Sequence, residues 1–206
     1  MEQPAFILEE LKQFVINDAP PTVYYIPEFI SADEESHLLQ QVYKSPKTKW
    51  TQLSGRRLQN WGGLPHPKGM LAEKIPDWLQ VYCEKISSLG AFSGKTANHV
   101  LGSHTLLDFY TPISRLDGDA PQTEESRFLL SLLVKPRSLL ILQDEMYQRL
   151  LHGIQPCDQD TLTDKVVNLS AAGALLGETL TRDTRVSLTI RHVPKVMKAK
   201  LILGRK

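Results

Sequence analysis

The stretch RVSLTIR, residues 185 to 191, carries an arginine at each end of what its alternation marks as a β-strand. Side chains on a strand alternate faces, so Val186, Leu188 and Ile190 share one face while Arg185, Ser187, Thr189 and Arg191 share the other. At ordinary strand rise the two arginine Cα atoms stand roughly 20 Å apart, close enough for two long side chains to converge. A guanidinium is always charged and its planar fork matches a carboxylate or phosphate bidentately, so this face suits a small molecule with an acid group at each end. The same pattern also fits an edge strand whose outer face is solvated and whose arginines oppose aggregation.

Six histidines occur, at positions 37, 66, 99, 104, 152 and 192, and His152 stands out among them. It follows Leu150 and Leu151 at the end of a strand-like run and precedes Gly153. A strand end of this kind holds an imidazole rigidly while the neighbouring turn leaves room for a metal. A lone histidine is also commonly a structural residue, and only its neighbours distinguish the two roles.

A third group lies nearer the N-terminus. The turn-rich stretch KSPKTKWTQLSGRRLQNWGGLPHPKG interleaves Trp50 and Trp61 with Lys47, Lys49, Arg56, Arg57 and Lys68. Rings beside cations are what a lid needs if it is to stack bases and hold phosphates. A hairpin that buries both tryptophans and solvates its cations has the same composition.

The elements that must carry these groups are legible in outline. PPTVYYIPEFI is β-rich and broken by prolines, and SADEESHLLQQVY follows as a helix with Ser31 and Glu34 spaced as a capping box and Leu38, Leu39 and Val42 as its inward stripe. A second helix opens at Pro76, turns Leu79, Tyr82, Ile86 and Leu89 to one side, and ends at Gly90. From Leu101 onward the runs HTLLDFY, SRFLLSLLV, PRSLLILQ, YQRLLHGI and TRVSLTIRHV read as strands of antiparallel sheets closing as a sandwich or jelly roll. Residues 111 to 126 form a polar loop, and NLSAAGALLGETL is either a short helix or a flap. There is no internal repeat, glycine-rich phosphate loop or Ser/His/Asp nucleophile signature.

The 206 residues suit one domain, and 24 Lys+Arg against 23 Asp+Glu leave no global field to draw the chain onto a polyanion or a membrane. The charge is uneven, however: from Arg182 to Lys206 the basic residues are opposed by Asp183 alone, which suits either contact with nucleic acid or a solvated tail. Cys83 and Cys157 are too few for a zinc site or a disulfide framework, and no apolar run reaches the length of a membrane span. A soluble monomer of a reducing compartment, cytoplasm and nucleus, is expected.

The order of LLHGIQP, a variable insert and RVSLTIR resembles the C-terminal half of the AlkB-type Fe(II)/2-oxoglutarate-dependent dioxygenases, and WTQLSGRRLQNWGGLPHPKGM, LGSHTLLDFY and KPRSLL extend the resemblance through nearly the whole chain. It implies a mainly β fold with flanking helices (α+β), a double-stranded β-helix or jelly roll that is here incomplete. It divides one structural domain into an N-terminal extension with helices and a nucleotide-recognition-lid-like hairpin (1–96) and a core (97–206) interrupted at the 100/101 junction. By the resemblance His152 corresponds to the later iron ligand and Arg185 and Arg191 to the arginines that hold 2-oxoglutarate; Trp50, Arg56, Arg57 and Trp61 of the basic-aromatic stretch are the candidate substrate contacts. Fe(II), 2-oxoglutarate and O₂ are the implied cofactor and cosubstrates, and alkylated DNA or RNA the implied substrate class.

The family's His-x-Asp pair should fall between ANHV and LGSHTLLDFY, but Val100 runs straight into Leu101, and no histidine is followed two positions later by Asp or Glu. His104 and Asp108 share a strand face yet stand about 13 Å apart at their Cα atoms, too far for adjacent ligands of one ion. Against the family the gap is roughly 25 residues, two strands with their connection. Its loss removes the ligand pair, polar contacts to the cosubstrate and an aromatic loop, and a jelly roll without it exposes sheet edges. Weak or absent iron binding by this chain is expected. Two functions therefore stand side by side: an oxidative demethylase of nucleic acid, and a catalytically inactive short form that binds nucleic acid or protein or is an unstable by-product.

Overall fold

The computed structural model describes residues 9–20, 22–67, 69–90, 96–113, 123–191, 193 and 196–197, with the backbone alone at positions 65 and 96–100. The polar segment 114–122, Lys68, His192 and most of the basic tail lie outside the described residues. A 3-10 turn (Glu9–Phe14) leads into β1 (Val23–Ile26) and helix α1 (Ala32–Lys44). The capping box is present: Ser31 Oγ accepts from the Glu34 N–H at 3.1 Å and Glu34 Oε2 accepts from the Ser31 N–H at 2.8 Å. Two donors that the helix leaves without partners are thereby satisfied. Two small hairpins follow, β2 (Trp50–Gln52) with β3 (Arg57–Gln59) and β4 (Gly63–His66) with β5 (Gly69–Ala72). Helix α2 (Asp77–Ser88) then starts after Pro76, buries Leu79, Tyr82 and Ile86, and stops at Gly90, whose φ of 69° favours glycine.

The second half holds β6 (Thr96–Gly102), β7 (Thr105–Tyr110), α3 (Glu124–Arg127), β8 (Phe128–Val134), β9 (Leu139–Leu142), α4 (Asp144–Gln148), β10 (Leu151–Gly153), β11 (Gln159–Thr161), β12 (Thr179–Thr181), β13 (Arg185–Arg191) and β14 (Val196–Met197). The main sheet has the order β1-β9-β6-β13 and the second β10-β7-β8, all neighbours antiparallel. Val23, Tyr25, Leu140 and Leu142 of the main sheet meet Leu107, Phe109, Leu130 and Leu132 of the second in one buried cluster. The alternate residues Tyr24, Ile26, Leu139 and Ile141 turn outward and pack with Leu11 and Ile86, which places the helical layer on the far face of the main sheet. The fold is mixed α+β with more strand than helix, a jelly-roll-like pair of sheets with no closed barrel among the described residues.

Two local expectations differ from what forms, and a third is narrowed. Tyr147 and Gln148 belong to α4, and only Leu151–Gly153 of YQRLLHGI is strand; Asp144 and Glu145 put negative charge in the first turn of α4, where the helix dipole favours it. The start of SRFLLSLLV is likewise helical, capped by Thr123 Oγ1 accepting from the Ser126 N–H at 3.2 Å. Of the helix and the flap that NLSAAGALLGETL allowed, no helix forms: residues 168–178 run through turns with Gly173 and Gly177 at positive φ, Ala172 and Ala174 packed on the core and Leu175 and Leu176 exposed, and Thr179 and Leu180 open β12.

The Val100/Leu101 junction lies inside β6. That strand pairs along its whole length with β13, from Arg185↔Gly102 to Arg191↔Thr96, and over Thr96–His99 with β9. The backbone is thus continuous in hydrogen bonding across the junction. Gly102 ends the strand at φ 79°, where a Cβ would stand 2.5 Å from the Thr184 carbonyl oxygen.

The β11–β12 hairpin is pinned by one buried carboxylate. Asp160 accepts from Arg182 Nε at 2.6 Å and Nη2 at 2.7 Å and faces His104 Nε2 at 3.1 Å, while Arg182 Nη1 donates to the Gln155 carbonyl at 2.6 Å. Burial alone would push this carboxyl up, but the Arg182 hydrogen bonds and charge, with His104, hold it below the usual carboxylate range. Replacing Asp160 with Ala strands both partners and is expected to cost about 3–5 kcal/mol in urea unfolding at neutral pH. Because the folded pKa is depressed, the wild-type advantage over the variant should be complete above about pH 3.9, the ordinary aspartate value, and shrink as the pH falls below it.

Candidate functional site

Of the sequence-predicted residues, His152 stands on β10 and Arg185 and Arg191 on β13, each the end strand of its sheet, β10 of the second and β13 of the main one. Val186 and Leu188 pack with Ile30, Leu38, Tyr82 and Leu101, and Ile190 with the Leu11/Ile86 group, so the apolar face of β13 meets the helical layer. Alternation then turns Arg185, Ser187, Thr189 and Arg191 toward the second sheet. The register agrees, since Arg191 lies opposite position 96, which lies opposite the inward-facing Leu142. From the other side, His152 is the register partner of Phe109, a fully buried core ring, and the two rings are 5.9 Å apart. Partners in an antiparallel ladder share a face, so His152 points into the mouth between the sheets.

The electrostatics of this mouth are one-sided. Partial burial and the charges of Arg191 and Arg56 hold His152 below the usual histidine range. Burial, Arg56 and Arg182 likewise lower Arg185. No ion pair or hydrogen bond to a described residue satisfies the guanidinium of Arg185, Arg191 or Arg56. A neutral imidazole among uncompensated cations can offer a lone pair to a metal or a proton acceptor to a ligand, and the guanidiniums can hold a dianion.

The residues present fit a dicarboxylate better than an iron. Among the described residues no group of three or more His, Cys, Asp or Glu could hold a metal ion. Asp108 is buried, its Oδ1 accepting from Ser131 Oγ at 2.5 Å, and His104 is committed to Asp160, so these two do not come together. His152 is a single donor.

The basic-aromatic stretch forms a layered surface beside the mouth. The Arg57 guanidinium lies over the Trp50 ring at 4.3 Å and near Tyr43 at 5.8 Å, while Lys49 Nζ lies over Trp61 at 4.3 Å. Trp61 meets Trp78 edge-on at 5.7 Å and donates its Nε1–H to Gln59 Oε1 at 3.0 Å, and Gln59 Nε2 donates to the Val42 carbonyl at 2.9 Å. Both tryptophans are half-buried, so the hairpin neither submerges its rings nor frees them. Arg56, at its turn, is the part whose charge reaches both His152 and Arg185. Sequence reasoning missed Tyr43, which lies on α1 outside the turn-rich run, and the Asp160/Arg182/His104 cluster, whose members sit on three separate segments with no common motif.

Replacing Arg191 with Met should raise the His152 pKa toward its ordinary value, because a positive neighbour that disfavours the imidazolium is removed. The His152 ring resonances followed by NMR between pH 4 and 8 check this; an unchanged midpoint would mean that Arg191 does not bear on the imidazole.

None of the protein-family models compared with the chain matches it. A curated protein from Danio rerio, "Probable RNA/DNA demethylase ALKBH6", is 60% identical over 225 aligned residues, covering 96% of this chain and 96% of the relative. The alignment is longer than the 206 residues here, so the relative contains residues with no counterpart in this chain. At that identity over nearly the full length, the chain belongs to the AlkB-type family, in the ALKBH6 group.

Proposed function

We propose that this chain works on nucleic acid as an AlkB-type oxidative demethylase, with Arg185 and Arg191 holding 2-oxoglutarate beside His152 and the Trp50/Arg57 and Lys49/Trp61 layers holding an alkylated DNA or RNA strand. The observation that supports this most is the mouth itself: burial and the charges of Arg191 and Arg56, which have no counter-charge among the described residues, hold His152 neutral, and Arg56 bears on Arg185 as well. The Danio relative, named as an RNA/DNA demethylase, supports nucleic acid as the substrate class. Iron, when bound, would supply the oxidant of such a reaction. The chain's own residues orient the dicarboxylate through a charge-assisted fork, keep His152 unprotonated at neutral pH, and stack and neutralise the strand.

One observation favours a second reading, a form that binds without turning over. No His-x-Asp or His-x-Glu occurs in the sequence, and the described residues assemble no three-donor group. Anaerobic Fe(II) titration with 2-oxoglutarate, followed by succinate detection with an alkylated oligonucleotide, separates the two. Stoichiometric iron binding and substrate-stimulated succinate establish the demethylase in this form; absence of both leaves the binding form. In either case, replacing Arg185 with Ala should weaken 2-oxoglutarate binding by about 1.5–3 kcal/mol in calorimetry, the range for a charged hydrogen bond.

The surface is tested separately. Replacing Trp50 with Ala should weaken binding of a single-stranded oligonucleotide by about 1–3 kcal/mol in gel shifts. Replacing Arg57 with Ala should also flatten the salt dependence. Unchanged affinity in both variants would move the strand elsewhere.

A further inference from the structure

The sheet edges are treated unequally. The outer edge of β1 is taken up by the Val15↔Tyr24 bridge and the Ile16 N–H donating to the Val23 carbonyl at 2.9 Å. That of β8 is covered by the 165–168 segment: Ser131 bridges Val166, and the Asn168 side-chain amide accepts from the Leu133 N–H and donates to its carbonyl, both at 2.8 Å. β10 is 3 residues long. β13, by contrast, runs for 7 residues, pairs with β6 in unbroken register, and has no backbone hydrogen bond to any other described residue. It contains no proline and no bulge, and of the usual devices that blunt an open edge it carries only the charges of Arg185 and Arg191 at its ends.

The strand also reads nearly the same in both directions about Leu188: Val186 mirrors Ile190, Ser187 mirrors Thr189, and Arg185 mirrors Arg191. A two-fold axis at Leu188 would set these residues opposite one another in an antiparallel ladder with a second copy. β-Branched and hydroxyl pairs of this kind stabilise cross-strand contact, while the arginines would meet as like charges at both ends. An anion between each guanidinium pair removes that penalty.

We propose that the outer edge of β13 is a self-association surface, where two copies pair antiparallel into one sheet continuous through both molecules, with divalent anions bridging Arg185 of each copy to Arg191 of the other. This departs from the monomer expected from the sequence alone. It rests on the strand edge; its bridging anions would occupy the guanidiniums that the demethylase reading gives to 2-oxoglutarate, but the association tests below use neither iron nor 2-oxoglutarate, so failure of one reading is distinguishable from failure of the other. Sedimentation velocity over a wide concentration range should show a dimer that grows when inorganic phosphate is added at constant ionic strength. The register is tested by mixing Ser187→Cys protein with Thr189→Cys protein, both in a Cys83→Ser/Cys157→Ser background, under mild oxidation. Disulfide dimer is expected from the mixture and essentially none from either variant alone. Both positions are exposed, and an unchanged denaturation midpoint shows that the fold is kept. A monomer at every concentration with phosphate present, or equal crosslinking by each variant alone, overturns the proposal. A monomer whose β13 amides gain hydrogen-exchange protection only on adding a foreign peptide also overturns it, and assigns the edge to another protein's strand.

Discussion

A strand with three apolar side chains on one face and two guanidiniums on the other has one low-energy orientation against a layer of helices, and this constraint on β13 organises the rest of the molecule. Val186, Leu188 and Ile190 find Leu38, Tyr82 and Ile86 on the helical side. The cations have only the opposite face left, which opens toward the second sheet. Reversing the strand would bury both arginines among apolar side chains without partners, at a cost several times the stabilisation from three half-buried aliphatics. The helices thus orient the mouth without lining it.

The mouth inherits its character from that orientation. Charges with no counter-charge are poor for stability and useful for binding, and the fold offsets them with well-satisfied ion pairs elsewhere. Arg137 forks onto Glu28 at 2.7 and 2.9 Å and reaches Glu35 at 3.5 Å, and Arg182 forks onto Asp160. The second of these pairs stands behind the mouth, since Arg182 also bears on Arg185. Arg57 and Lys49 sit over rings of their own lid, so a base that stacks there must displace a cation, which is then free to meet a phosphate.

Period and capping carried most of the architecture from the chain itself. The Ser31/Glu34 box, the α2 stripe and the alternation of RVSLTIR are local signals, and each has the form that spacing dictates. What stayed hidden was tertiary. Tyr43 joins the lid only because α1 packs beside β2, and His104 meets Asp160 only because a hairpin 56 residues on folds back over the β6–β7 turn. YQRLLHGI read as one strand because its apolar residues mask the acidic helix start before Tyr147. Of the chemistry, the arginines and His152 were legible as types on faces; that Arg56 would overhang them was not, since its place depends on how a turn docks.

Val100 and Leu101 are consecutive rungs of one ladder, and what keeps those rungs in step lies just downstream. Leu101 is fully buried against Leu38 and Tyr82, and Gly102 closes on the Thr184 carbonyl in a conformation that a side chain would strain. A slip of one residue in one direction would put Gly102 into the aliphatic slot, and in the other direction would put Leu101 into the tight corner. These two residues act as a phase lock: whatever length of chain precedes them, they enter the sheet with the same parity. The seam before Leu101 is therefore a place where sequence can be gained or lost while the packing after it keeps its phase.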